Sequence, residues 1–229
     1  MTEVKLVGIT QPTIEGVLNA NDLVAFAARV SNPGNQMNSE TAPRLVNYLI
    51  RNQHWSPFEM VSLTMEIKTT RDISRQILRH RSFSFQEFSQ RYAVSENFIT
   101  REARLQDTNN RQNSNEIDRS DEKQRRIAED FNMNQVALLA HARKVYEQAL
   151  AAGIAKEQAR AVLPEGLTET TLYMAGTLRS WIHFCALRSG NGTQKEHREV
   201  AIQAMEVIMK QFPSLADTLK QLALQDRAK

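Results

Sequence analysis

The sequence predicts a mixed α/β protein of the α+β type, a single domain in which a small central, mostly antiparallel sheet is flanked by long helices. Three observations lead there. Val61 to Lys68 alternates strictly between apolar and polar residues, the period of a strand with one buried face. Longer segments, above all one from about Asp121 to Ala152, carry apolar residues at helical spacing instead. The 229 residues, 41% of them hydrophobic and 24% charged, are enough to bury one substantial core. Only the stretch at about 103–120 is nearly bare of large apolar residues, and it reads as a polar surface insertion.

The elements follow in order. Val4 to Ile9 is a first strand, ended by Gln11-Pro12. A short helix comes next, with Asn21 or Asp22 as its cap and Leu23, Phe26, Ala27 and Val30 on one face. A second helix after Ser39 carries Leu45, Val46, Leu49 and Ile50, and Pro57 breaks the pattern. Beyond the alternating strand the period turns helical from Arg71 through Ile73, Ile77 and Leu78 to the triplet Arg79-His80-Arg81. That spacing places Gln76, Arg79 and His80 at i, i+3 and i+4, on one side of a helix. The long helix that follows is stopped by Gly153, and a shorter one by Pro164. Thr168 to Ser180 is ambiguous between strand and helix, and its β-branched and aromatic content tips it towards a strand. Arg179 onward is helical up to Gly190-Asn191-Gly192, and Lys195 to Phe212 is an amphipathic helix carrying Val200, Ala204, Val207 and Ile208.

Composition narrows the function. A single cysteine, Cys185, rules out an intrachain disulfide framework and a multi-cysteine zinc site, and the five histidines show no metal-binding spacing. No metal is expected, and the setting expected is reducing and cytoplasmic. No apolar run approaches the ~20 residues of a membrane span. The opening residues lack the basic and apolar regions of a secretory leader, so none is expected. A formal charge of +3 does not demand a nucleic-acid partner.

Where the arginines sit matters more. Gln76 to Tyr92, "QILRHRSFSFQEFSQRY", sets Arg79, His80, Arg81 and Arg91 among hydroxyls, aromatics and one carboxylate, Glu87. Arginine suits phosphate because its planar fork donates parallel charge-assisted hydrogen bonds. The stretch is therefore either a charged helix end or a site for an anionic ligand. Ser89 has no histidine base beside it in sequence, which fits binding better than nucleophilic attack. Cys185 lies among Trp181, Ile182, Phe184 and Leu187 and reads as a small buried hydrophobe. The same neighbours make the helix carrying Arg179 and Arg188 mostly buried, and a buried arginine needs a partner. His54 could simply end a helix, His183 could be a core histidine, and His141 and His197 read as surface or structural.

"RHRSFSFQEFS" is similar to the signature of the flavin-dependent thymidylate synthases: RHR, seven residues, then Ser. In the same order "AARVSN", "HWSPFEM", "ARAVLP" and "LRSWIHFCALR" followed by "QKEHRE" resemble that family's other motifs, so the likeness covers nearly the whole chain apart from roughly 103–120. The resemblance implies reductive methylation of dUMP to dTMP. Methylenetetrahydrofolate would give the carbon, and FAD reduced by NADPH the hydride. It implies a homotetramer with active sites where subunits meet, and neither a nucleic-acid nor a membrane partner. By the same resemblance Arg79, His80 and Arg81 contact FAD, together with Ser31, Ser56, Glu87, Thr177, Arg179 and His183. Gln76, Arg79, Glu87, Ser89, Gln90, Arg91, Arg160 and Arg188 hold dUMP, and His54 lies near flavin and folate. Arg188 is the catalytic expectation, because uracil C5 becomes nucleophilic only as negative charge builds on the N3/O4 system, and an arginine aimed at O2 and N3 stabilises that charge. Two departures stand out: several members carry Asn near the position of Thr177, and Ser189 to Gly192 replaces a stretch where relatives often have histidine. Hydroxymethylation of a related pyrimidine nucleotide is the neighbouring alternative. A non-catalytic basic protein binding nucleic acid, with steep salt dependence, is the alternative of another class.

Overall fold

The computed structural model describes residues 2–190 and 192–225; Asn191, in the expected helix stop, lies outside them. The strands are β1 (Glu3–Ile9), β2 (Ser62–Thr70), β3 (Ser84–Glu87), β4 (Arg104–Gln106), β5 (Ser114–Glu116) and β6 (Glu169–Thr177). Four of them form the main sheet in the order β1-β2-β6-β3. Backbone hydrogen bonds fix its sense. Arg71 N–H, just past β2, donates to the Thr168 carbonyl just before β6 at 3.0 Å, and Leu178 N–H, just past β6, donates to the Val61 carbonyl just before β2 at 2.7 Å. Start meets end on both sides, so β2 and β6 are antiparallel. Along β2 the alternation read from the sequence holds, with Leu63, Met65 and Ile67 buried. β6 is the strand its composition predicts.

The helices are α1 (Ala20–Ala28), α2 (Ala42–Arg51), α3 (Arg71–Ile77), α4 (Glu122–Ala151), α5 (Lys156–Ala159), α6 (Leu178–Arg188), α7 (Lys195–Gln211) and α8 (Ala216–Gln225). The cap of α1 is Asn19, whose side chain accepts from Asp22 N–H at 3.0 Å; Asn21 and Asp22 lie inside the helix, because only a residue ahead of the first turn can reach that donor. Asp121 caps α4 by accepting from the N–H groups of Lys123 and Gln124, and Gly153, at φ +82°, follows its end. Helix α3 stops at Ile77, earlier than its periodicity suggests. Only Gln76 of the expected trio is helical, so Gln76, Arg79 and His80 do not share a helix face. The chain then enters β3, which the sequence reading missed, as it missed α8. The polar segment at about 103–120 contains the antiparallel hairpin β4–β5, in the register Arg104↔Glu116. No helix among the described residues is long and apolar enough to cross a membrane.

The chain divides into two compact units. One comprises Lys68–Arg79 and Glu87–Leu172; within it Tyr146, Ala159 and Leu163 form an apolar cluster against Phe98, Ala149 and Leu150. The other comprises Thr2–Ile67, His80–Gln86 and the chain from Tyr173. Its core gathers Phe58, Leu63, Trp181, Phe184, Val200 and Phe212, and the Trp181 indole N–H is satisfied by the Leu63 carbonyl at 3.1 Å. Gly176 in β6 faces Phe83 so closely that a Cβ there would lie 2.4 Å from the ring. Only glycine lets the aromatic ring seat on the strand.

Candidate functional site

In the first unit the carboxylate of Glu87 is the centre of a dense polar arrangement. Ser74 Oγ donates to its Oε1 at 2.9 Å and Thr170 Oγ1 donates to the same oxygen at 3.0 Å. Arg71 Nη1 lies 3.6 Å from Oε1 and Arg75 Nη1 3.6 Å from Oε2. The end of β3, the first turns of α3 and the start of β6 each supply part of this shell, so the carboxylate is held in one orientation.

Beside it a cavity of about 370 Å³ is lined by Arg71, Arg75, Gln90, Glu157, Arg160 and Glu165. Two residues expected to bind nucleotide, Gln90 and Arg160, therefore share one hollow. Gln90 is buried and donates to Ser95 Oγ at 2.8 Å, and Arg160 Nε donates to the Glu157 carbonyl at 3.3 Å. Arg91 pairs with the same Glu157 through its carboxylate, Nε to Oε2 at 3.0 Å. The hydroxyl of Ser89 accepts from Arg91 N–H at 3.3 Å, which fixes the turn between them. Gln76 lies in the last turn of α3, and Arg79 stands exposed just beyond it.

The second unit carries a different arrangement. Arg188, last residue of α6, donates from Nε to His80 Nε2 at 3.0 Å. As acceptor, that nitrogen carries no proton. Burial, and then the Arg188 charge, hold His80 down to about 4, so the ring is neutral throughout the physiological range. His80 packs edge-on against Phe184 at 5.0 Å, with His197 at 6.0 Å. His197 is buried, and its burial followed by the charge of Arg188 lowers it to about 3.

At the other end of α6, Thr177 caps the helix by accepting from Ser180 N–H at 3.2 Å. Arg179 is not buried as its helix implied: it is well exposed and paired with Glu59. Leu187, towards the far end of the same helix, is likewise exposed. His183 is exposed too, not a core histidine, and packs at a tilt against Trp55 with ring centroids 4.5 Å apart. Partial desolvation of its ring, and then the charge of Arg179, lower its pKa. Ser56 opens the turn after Trp55, and exposed His54 meets Tyr48 edge-on at 6.2 Å. Ser31 lines a separate cavity of about 550 Å³ with Arg29, Arg44 and Tyr48. Arg81 is exposed, and neither it nor Arg79 makes an ion pair among the described residues.

Cys185 is buried, and burial raises its thiol far above the ordinary value, so it holds no thiolate to offer. Sequence reasoning missed Arg71, Arg75, Glu157 and Glu165 in the first unit and Trp55, Glu59 and His197 in the second. The four charged residues look in sequence like ordinary helix or turn charges; only the i, i+4 spacing of Arg71 and Arg75 hinted that they share a face.

Comparison with known proteins adds an independent line. Residues 14–214 match the family model Thy1, described as thymidylate synthase complementing protein. The chain is 50% identical over 216 residues to a probable flavin-dependent thymidylate synthase of Paramecium bursaria Chlorella virus 1, covering 94% of this chain and 97% of that one. It is 48% identical over 221 residues to the flavin-dependent thymidylate synthase of Synechocystis sp., covering 95% and 99%. Its fold is similar to the crystal structure of a UMP/dUMP methylase, PolB, from Streptomyces cacaoi bound with 5-Br dUMP, with a TM-score of 0.79, 26% identity and coverage of 96% and 95%.

Proposed function

Because this chain belongs to the Thy1 family, the flavin-dependent thymidylate synthases, we propose that it methylates dUMP to dTMP, with its arginine-lined cavity gripping the nucleotide phosphate and Arg188 addressing the base. The observation that carries this reading is the cavity, where Arg71, Arg75 and Arg160 converge with Gln90. Three guanidinium groups around one hollow suit a phosphomonoester, whose charge at neutral pH is close to −2.

FAD is the cofactor of this family, and the side chains available fit it. Arg79 and Arg81 are exposed cations without an ion pair among the described residues, suited to a pyrophosphate. Thr177, Arg179 and the Trp55–His183 pair offer hydrogen bonds and an aromatic surface suited to a flavin ring. When bound and reduced by NADPH, FAD supplies the hydride, and methylenetetrahydrofolate supplies the carbon. The protein's own part is to bind, orient and stabilise charge. His80 accepts the Nε–H of Arg188 and so fixes the plane of that guanidinium, which can then stabilise negative charge building on the pyrimidine N3/O2 edge. Glu87, held by two hydroxyls and two arginines, can accept from a ribose hydroxyl without moving. Cys185 takes no part.

Assembly belongs to the same proposal. The first half of α4 is almost wholly exposed and carries Ile127 and Phe131, and Leu138 continues their line. A second copy of the chain would cover that face, as a homotetramer with shared active sites requires. Reaction in the cytoplasm is part of the reading as well.

The test is an anaerobic visible spectrum of the FAD-loaded protein titrated with NADPH, with and without dUMP, followed by product analysis after addition of methylenetetrahydrofolate. The reading expects bleaching of the flavin at a rate altered by dUMP, and dTMP as product. Protein that takes up no FAD and forms no methylated nucleotide overturns it. UMP should be run in parallel, since PolB is named for both nucleotides; 5-methyl-UMP would widen the substrate range.

A further inference from the structure

Arg71 opens α3 and is only 5% exposed. Its side-chain Nε and Nη1 are buried without a hydrogen bond: the nearest carboxylate oxygens, of Glu165 and Glu87, lie at 3.7 and 3.6 Å. Those separations give Coulomb attraction but not hydrogen bonds. Buried guanidinium N–H groups are nearly always satisfied, so donors lining a cavity without acceptors mark a place for one.

The two neighbouring carboxylates differ in kind. Glu87 is pinned by Ser74 and Thr170. The side chain of Glu165 is 53% exposed, shared loosely between Arg71 at 3.7 Å and Arg75 at 3.4 Å, and has no third partner among the described residues. It is free to leave by a change of rotamer. Glu165 thus sits on cavity arginines as an internal anion.

We propose that Arg71 is a phosphate-binding residue of the nucleotide site and that Glu165 is the competing anion which the substrate phosphate displaces. This rests on the reading of the cavity as the dUMP phosphate site. A phosphomonoester brings up to two charges and three acceptor oxygens, where the Glu165 carboxylate brings one charge and stands too far from Arg71 for a hydrogen bond, accepting only a long one from Arg75 at 3.4 Å. The exchange satisfies the donors of Arg71 and releases Glu165 to water. It also selects against ligands lacking the phosphate, because a nucleoside leaves Glu165 in place.

The experiment is calorimetric titration of the FAD-loaded enzyme with dUMP, with deoxyuridine and with inorganic phosphate. Glu165→Gln keeps the size and removes the charge; it is expected to tighten dUMP and inorganic phosphate by about threefold to tenfold, leaving deoxyuridine unchanged. Arg71→Gln is expected to weaken dUMP by about tenfold or more, the equivalent of one charge-assisted hydrogen bond, again without effect on deoxyuridine. If Arg71→Gln fails to fold, Glu165→Gln alone decides. Unchanged or weaker binding of dUMP and phosphate by Glu165→Gln overturns the proposal, as does a folded Arg71→Gln enzyme that binds dUMP normally. Failure of the reaction itself is distinguishable: wild-type enzyme would then form no dTMP, whatever these affinities.

Discussion

Arg188 and His80 operate as a pair at the scale of single residues, and each sets a measurable property of the other. The guanidinium donates to a ring nitrogen that must stay unprotonated, and its charge helps to keep it so. Arg188→Ala is expected to retain FAD, seen in the visible spectrum, while dTMP formation falls by about a hundredfold or more, the usual cost of losing one preorganised charge stabiliser. Near-normal turnover in that variant would remove Arg188 from the mechanism. The pair also gives the fold a pH dependence. His80 and His197, at about 4 and about 3 in the folded protein against 6.5 ordinarily, bind protons more readily when unfolded. Their contribution is complete above pH 6.5 and is lost as pH falls through the window down to about 3. Urea midpoints should therefore drop between pH 7 and pH 5, and the drop should shrink in His197→Gln, which cannot charge. An equal drop in both proteins would show that other groups carry the effect.

Elements differ in how openly the sequence announces them, and the reasons are physical. β2 was legible because one of its faces is buried and the other is not, so Leu63, Met65 and Ile67 alternate with Thr64 and Glu66. α4 announced itself through length, the Asp121 cap and Gly153. β3 was hidden, because Ser84-Phe85-Gln86-Glu87 has no β-branched residue and follows directly on a helical pattern. The same ambiguity carried the expected helix past Ile77 into the RHR triplet. The seating of β3 rests partly on its neighbour: Phe83, just ahead of it, occupies the space above Gly176. Gly176→Ala is accordingly expected to destabilise by about 1–3 kcal/mol, the range for overpacking a core, and Phe83→Leu should recover part of that loss. Thermal unfolding of the single and double variants measures it; an additive double variant would mean that the ring and the glycine are not coupled.

The whole molecule shows the same division between what local pattern reveals and what folding assembles. Arg79, His80, Arg81, Glu87, Ser89 and Arg91 stood out in the sequence because they fall within one stretch. Arg71, Arg75, Glu157 and Glu165 did not, because only the fold brings residues 71 to 75 and 157 to 165 around one cavity. The exposed apolar line of α4 is a further property of the whole molecule. Ile127, Phe131 and Leu138, 43%, 44% and 52% exposed, lie at i, i+4 and i+11 on one side of the helix. If a second copy covers that line, Phe131→Glu should shift the protein to a smaller species in size-exclusion chromatography with light scattering, while its circular dichroism stays unchanged. An unaltered mass would move the subunit contact elsewhere. The sealed position of Cys185 has a practical consequence as well. The sequence holds no other thiol, and this one lies beyond the reach of solvent. Iodoacetamide, which silences enzymes that attack through sulfur, should find nothing to alkylate in the folded protein and leave turnover intact. A mixture containing a thiolate-dependent synthase and this one could then be resolved with a single reagent, and inactivation in step with carboxymethylation of Cys185 would contradict that.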